Sequence, residues 1–163
     1  MEALGDMAEK GALQADALAA CLNDEEPVIR LKALEQLAKL SNTRHGLNQD
    51  IMEKLVTMIG DRMEDPELRV WAMHCLGASG GRAAVHIGVL GWVLNSQDLE
   101  MMTAALTALG AIGKTAVKES AQITEVVANL MEHARAGVRL AAVMAIGDME
   151  AESYADLVAV RLE

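Results

Sequence analysis

Apolar side chains recur along the chain at the three- and four-residue spacing that is typical of amphipathic α-helices. One phrase of nine or ten residues occurs four times, at 29–37, 68–77, 101–110 and 138–147. The alanine that marks its centre stands at Ala33, Ala72, Ala105 and Ala142, so the copies are separated by 39, 33 and 37 residues. Repeats of this length indicate stacked helix pairs that bury one another's apolar faces. No segment alternates with period two, so no strand is predicted.

The repeats predict a single domain with regular internal boundaries. They divide the chain into a partial repeat at 1–23 and four repeats at about 24–62, 63–96, 97–134 and 135–163. The predicted partner helices within these repeats lie at 11–22, 51–59, 83–94, 117–133 and 153–162. The expected fold class is therefore all-α, a right-handed α–α superhelix (α-solenoid) of about four and a half helix pairs.

Composition narrows the range of possible functions more than it narrows the range of possible folds. The 163 residues carry a formal net charge of −10 and only 2% aromatic residues, so the chain repels a phosphate backbone and nucleic acid is excluded as the expected partner. Its longest nearly apolar run, 83–94, is too short to span a bilayer, and no membrane insertion is expected. Cys21 and Cys75 lie in different repeats on apolar helical stripes, which favours two buried thiols and a cytoplasmic or other reducing intracellular compartment.

Candidate chemistry is sparse. The four histidines, at 45, 74, 86 and 133, form no complete ligand set with cysteine or carboxylate neighbours. Ser79 lacks the strand-turn-helix context of a nucleophile, and the glycines at 77, 80 and 81 have no preceding strand or following Lys-Ser pair. We therefore predict no catalytic residue, no metal ligand, no cofactor and no enzymatic activity.

The most informative departure from an ordinary repeat lies at helix positions that normally face solvent. In the repeat 24–62 these positions are largely polar, but in later repeats they become apolar. The predicted protein-binding residues on this outer stripe are Val70, Trp71, His74, Met102, Leu140 and Met144. Exposed apolar stripes are rare on monomers, so we expect this one to dock another protein or a second copy of the chain. Two alternatives are coverage by a neighbouring segment of a longer polypeptide and a register that differs by one residue.

A second candidate surface lies on the inner helices. The segment 83–94 is apolar almost all round, and His86 and Trp92 are its candidate interface residues, the alternative being a central helix packed on both sides. Acidic residues occur at Glu53, Glu119, Glu125 and Glu132. Together they favour a partner with a basic segment, the alternative being ordinary solvation, which is the usual reason for charges on a helix surface.

The segment that begins Asp65-Pro66-Glu67-Leu68-Arg69 and ends Leu76-Gly77-Ala78-Ser79-Gly80 resembles a short HEAT-like repeat nearly position by position. The resemblance to the HEAT-repeat (armadillo-type) family extends over about 24–163. It implies that Arg30, Arg69 and Arg139 join adjacent repeats through hydrogen bonds, with Met102 interrupting the series.

This resemblance implies a scaffold or adaptor within a larger assembly. The apolar residues of the last predicted helix, Leu157, Val158, Val160 and Leu162, point the same way, because terminal repeats usually have polar outer faces. Two enzymatic relatives are disfavoured, since the His-Glu dipeptides of deoxyhypusine hydroxylase and the basic, aromatic groove of HEAT-like DNA glycosylases are missing. A bilin-lyase-like role, acting on a small molecule or a cofactor-bearing protein, is the alternative.

Overall fold

The structure is a computed structural model that describes residues 2–43 and 46–150, with side chains from residue 11 onward. Within that part of the chain the regular elements are all helices. The α-helices are α1 Glu2–Ala20, α2 Pro27–Ser41, α3 Gln49–Gly60, α4 Pro66–Ala78, α5 Ile87–Val93, α6 Leu99–Ile112, α7 Lys114–Glu119, α8 Ala121–Asn129 and α9 Ala136–Asp148. Short 3-10 helices occupy Cys21–Asn23, Gly80–His86 and Leu130–Glu132. The all-α prediction is confirmed.

The chain divides into two compact units between Ser79 and Gly80. This division falls inside the predicted repeat 63–96, between its first and second helix, so the predicted repeat boundaries remain a prediction. His45 and the expected last helix at 153–162, with its apolar residues, lie outside the described residues.

In the first unit, α2 packs against α4, while α1 packs against α2 and α3 packs against α4. The fully buried side chains include Leu34, Leu37, Leu55, Ile59 and Leu76. The Cys75 thiol is also buried and donates to the carbonyl oxygen of Leu34, with an Sγ–O distance of 3.2 Å. Burial raises the pKa of this thiol to about 12, so Cys75 behaves as a small core residue, as its position on an apolar stripe predicts.

In the second unit, α6 packs against α9, while α5 packs against α6 and α8 against α9. A β-carbon placed on Gly110 would lie only 3.2 Å from Cα of Ala145. The two helix backbones therefore approach closely at this point because α6 carries a glycine there. Leu90, Leu106 and Ile146 form part of the surrounding core.

Side chains at the helix starts satisfy backbone groups that the first turn leaves unpaired. Asp65 accepts from the backbone N–H of Glu67 and Asp98 from that of Glu100, with N–O distances of 2.8 and 2.9 Å. Pro66 occupies the first helical position of α4, where its missing N–H costs nothing. Local sequence therefore explains why α4 and α6 begin where they do.

Two predicted helices are wrong in detail. The helix expected over 117–133 is interrupted at Ser120, whose backbone is extended and whose Oγ accepts from the N–H of Ile123. A serine that caps α8 in this way ends α7 one residue earlier. The helix expected over 83–94 begins instead as the 3-10 segment Gly80–His86, and only Ile87–Val93 is α-helical.

Candidate protein-interaction surfaces

Arginines near the helix starts hold the chain segments that precede them. Arg30 donates from Nη1 to the carbonyl oxygens of Asp24 and Glu25, at 2.7 and 3.2 Å. Arg139 makes the equivalent pair of bonds six and five residues before itself, at 2.9 and 3.0 Å, and Arg69 donates from Nε to the carbonyl of Ile59 at 3.0 Å. The arginines that the repeat resemblance singles out are thus hydrogen-bonded to backbone.

Arg30 also joins α2 to the loop before α4. Its Nη2 lies 3.0 Å from Oε1 of Glu64, and the two side chains are only 16% and 17% exposed. A largely buried ion pair that is also hydrogen-bonded to backbone resists solvent screening better than a surface pair. It fixes Glu64 at the rim of the groove described next.

The α3 groove is a depression of about 500 Å³ along the exposed side of α3. Its lining residues are Leu22, Asn23, Asp50, Glu53, Lys54, Thr57, Met58, Asp61 and Glu64. Four of these residues are carboxylates and one is a lysine. Because Arg30 offsets the charge of Glu64, the negative charge of the groove comes from the other three carboxylates against Lys54, and the groove is acidic. Leu22 and Met58 give it a buried apolar floor.

Helix geometry explains how α3 concentrates these charges. Asp50, Glu53 and Thr57 follow the three- and four-residue spacing that places side chains on one face. Their opposite face carries Ile51, Leu55 and Ile59, which are buried. Of the four carboxylates, sequence analysis singled out only Glu53, although the spacing of Asp50 and Asp61 from it was available as a signal.

On the outer face of the first unit, Trp71 lies half-buried in a shallow α2–α4 groove of about 520 Å³. The other lining residues are Glu35, Ala38, Lys39, Asn42 and Ala78. His74 meets the Trp71 ring edge-on, with ring centroids 5.8 Å apart. Although the residue as a whole is exposed, the partial burial of its ring lowers the pKa of His74. Val70, which directly precedes Trp71, is half-buried.

On the outer face of the second unit, Leu140 and Met144 are far more accessible, with exposed fractions of 60% and 59%. They line the α6–α9 groove, which measures about 170 Å³. Its other lining residues are Thr103, Thr107, Gly137, Ala141, Ala145 and Asp148.

Met102 departs from the expected outer stripe. It is only 3% exposed, and Ala104 nearby is only 6% exposed, so neither offers surface to a partner. Met102 stands where the other repeats carry arginine, and an uncharged side chain can be buried there without a hydrogen-bonding partner. The prediction that placed Met102 on an exposed stripe is therefore wrong.

The second predicted surface, on α5, is only partly accessible. Trp92 is 41% exposed and His86 is half-buried, while Ile87, Leu90 and Val93 are buried on the opposite side. The expected acidic residues of this unit, Glu119, Glu125 and Glu132, are exposed. They belong to a different unit from the α3 groove.

The described residues contain no group of three or more histidines, cysteines or carboxylates arranged to hold a metal ion. None of the helices described is both long enough and apolar enough to cross a membrane.

No protein-family model matches the sequence, and no curated protein matches it. Solved structures do. An engineered protein matches with a TM-score of 0.63 and 19% identity, over 83% of this chain and 62% of that one. A designed armadillo repeat protein in complex with the peptide (KR)4 matches with a TM-score of 0.61 and 16% identity, over 89% of this chain and 74% of that one.

A third similar structure is the complex of CpcE and CpcF of phycocyanin lyase from Nostoc sp. PCC7120. It matches with a TM-score of 0.62 and 17% identity, over 91% of this chain and 85% of the matched chain. At these identities the similarity concerns the fold alone. The chain has the fold of armadillo- and HEAT-type helical repeat proteins, and the fold expected from its sequence is confirmed.

Proposed function

We propose that this protein is a non-enzymatic scaffold or adaptor that binds a basic segment of a partner protein along the α3 groove. The observation that carries the proposal is the composition of that groove, in which four carboxylates and one lysine surround a small apolar floor. A lysine- or arginine-rich segment complements such a surface in charge.

The groove has the features of a peptide site rather than a small-molecule pocket. It is shallow, it follows a helix of twelve residues, and its charges are spread along that helix. Aligned carboxylates suit the regularly spaced cations of an extended segment, and long basic side chains can also cover Leu22 and Met58 with their methylene stems. A similar fold is known to hold the peptide (KR)4 in a designed protein.

Fluorescence anisotropy with a labelled (Lys-Arg)4 peptide tests the proposal. We expect saturable binding that weakens as salt rises from about 0.05 to 0.5 M, because screening shortens the range of the interaction. The double variant Glu53→Gln/Asp61→Asn removes two groove charges and should weaken binding about tenfold or more.

A matched control removes the same charge elsewhere in the first unit. Glu25 and Glu67 are exposed and lie outside the groove lining, so Glu25→Gln/Glu67→Gln should bind the peptide almost as the unmodified protein does. Equal weakening in both double variants would show that only net charge matters and would remove the α3 groove from the proposal.

The similarity to a phycocyanin lyase structure over 85% of the matched chain favours one second candidate function. In it, the protein assists attachment or handling of a bilin on a partner protein. Mixing the purified chain with a free linear tetrapyrrole and recording its visible absorption tests this candidate. A shifted and intensified band supports the lyase-like role, and an unchanged spectrum counts against it.

A further inference from the structure

Helix α9 presents a continuous accessible stripe on the outer face of the second unit. Its members follow the i, i+3, i+4, i+7 spacing of one helix face. They are Gly137, Leu140, Ala141, Met144, Gly147 and Asp148. Leu140 and Met144 form its centre and are 60% and 59% exposed. Two large apolar side chains at this accessibility, one turn apart, are a common signature of helix-to-helix docking.

The neighbouring threonines make the surface more apolar than its composition suggests. Thr103 donates its hydroxyl to the carbonyl of Glu100, and Thr107 donates to the carbonyl of Thr103, each at 2.9 Å. Because each hydroxyl donates to the α6 backbone, the γ-methyl groups remain to line the α6–α9 groove.

We propose that α9 is the interface between two copies of this chain, packed antiparallel across a two-fold axis. The stripe reads nearly the same in both directions about its midpoint at residue 142. An antiparallel pairing therefore sets Leu140 against Met144 of the second copy and Gly137 against Gly147 of the second copy. Such self-complementarity is what a two-fold interface requires.

Space at the two glycines favours a close approach of the paired helices. A β-carbon built on Gly137 or on Gly147 meets nothing within 4 Å, so the surface above both residues is open. Glycines at matching distances from the centre let the two α9 backbones approach each other where Gly137 faces Gly147 of the second copy.

Charge identifies a second copy as the occupant. The chain as a whole has a formal net charge of −10, so most of its faces repel another copy. Helix α9 itself carries one arginine and one aspartate and is neutral, with Glu132 and Glu150 lying outside it. In the antiparallel arrangement exposed Arg135, at the start of α9, lies near Asp148 at the end of the second copy's α9, and the two helix dipoles also oppose each other favourably.

Analytical ultracentrifugation over a dilution series tests this interface without any peptide ligand, so its result is independent of the α3 groove. We expect a concentration-dependent dimer. Leu140→Lys should raise the dimer dissociation constant about tenfold or more, because each dimer then loses two buried leucines. Leu13→Lys is the matched control, since Leu13 on α1 is 63% exposed and the substitution changes charge equally. It should leave the dissociation constant unchanged.

Two further variants guard against misfolding as an explanation. A β-carbon at Gly147 meets nothing within 4 Å in the monomer, whereas a glutamine there obstructs the paired helix. Gly147→Gln should therefore dissociate the dimer with helicity and melting temperature preserved. Asp148→Arg should weaken the dimer, and Arg135→Asp added to it should restore association.

The proposal is overturned if the unmodified protein stays monomeric up to about 1 mM. Equal weakening by Leu13→Lys and Leu140→Lys would also overturn it, because the interface would then not be located on α9. Failure of Arg135→Asp to rescue Asp148→Arg would exclude the antiparallel register.

Discussion

The outer helices of the two units use the same repeat positions in different ways. The α2–α4 pair of the first unit leaves a groove of about 520 Å³ that is lined in part by Trp71. The α6–α9 pair of the second unit leaves only about 170 Å³, and Ala141 stands at the position equivalent to Trp71. On the facing helix, Ala38 corresponds to Gly110.

This comparison shows how the residues at two equivalent positions shape the outer face of each helix pair, although both pairs pack to a similar extent. Glycine at 110 removes the side chain that would separate α6 from α9, so the backbones approach and alanine suffices at 141. Where alanine occupies position 38, the outer groove is larger and Trp71 forms part of its wall. The positions of Val70 and His74 in the first unit are taken in the second by the apolar Leu140 and Met144, and Leu140 is more accessible than Val70.

Leucine substitutions at the equivalent positions 110 and 38 should give the largest difference in unfolding free energy between the two units. Gly110→Leu must push against the backbone of Ala145 and should lower the free energy of unfolding by about 2 kcal/mol or more. Ala38→Leu extends into the wider groove and should change it by less than about 1 kcal/mol. Urea denaturation followed by circular dichroism measures both, and similar losses would show that the spacing is not set at these positions.

The arginines offer the next test. Arg30→Met removes two backbone hydrogen bonds and a largely buried pair with Glu64, so we expect a loss of about 2 kcal/mol. Arg139→Met removes only the bonds to the carbonyls of His133 and Ala134 and should cost about 1 kcal/mol. Chemical denaturation compares them, and adding Glu64→Gln to each variant isolates the ion pair. A larger loss at Arg139 would contradict this interpretation.

Trp71 tests whether the first unit's outer face is packed or free. Because the ring is half-buried, Trp71→Ala should cost about 1–2 kcal/mol of unfolding free energy. Leu140→Ala, measured at low protein concentration, should cost less than about 0.5 kcal/mol because that side chain is largely exposed. Thermal melts read by circular dichroism distinguish them. Complete unfolding of Trp71→Ala would place the ring in the core instead.

The smallest effect concerns pH. Partial burial lowers the pKa of His74 below its ordinary value of 6.5, so the unfolded chain binds the proton more readily than the folded one. The His74 contribution is therefore present above about pH 6.5 and declines as the pH falls below that value. In His74→Gln the melting temperature should depend slightly less on pH between 7 and 5, and an unchanged or steeper dependence would contradict the shift.

Sequence periodicity predicted the helical class, the positions of α2, α4, α6 and α9, and the buried role of Cys75, since these depend on local spacing and on start signals such as Pro66. It did not predict the break at Ser120, because a serine within a helical pattern becomes a cap only if the chain turns there. Nor did it predict the burial of Met102, which depends on the packing around α6.

The α3 groove shows that functional surfaces, too, depend on tertiary structure that local sequence does not reveal. Glu53 was identified as one of several scattered acids, but its grouping with Asp61 and Glu64 requires the turn after α3 and the bond from Arg30. Charge counted along a sequence does not reveal which carboxylates share a surface.

The central claim is that the two units present chemically different surfaces and that only the acidic α3 groove binds a basic segment. Backbone chemical-shift mapping tests this claim most directly. The ¹⁵N-labelled protein is titrated with unlabelled (Lys-Arg)4 peptide. We predict that the shifted amides cluster between residues 50 and 64 and that those of 136–148 are unaffected. Shifts concentrated on α9, or spread evenly over all exposed acidic residues, would contradict the account.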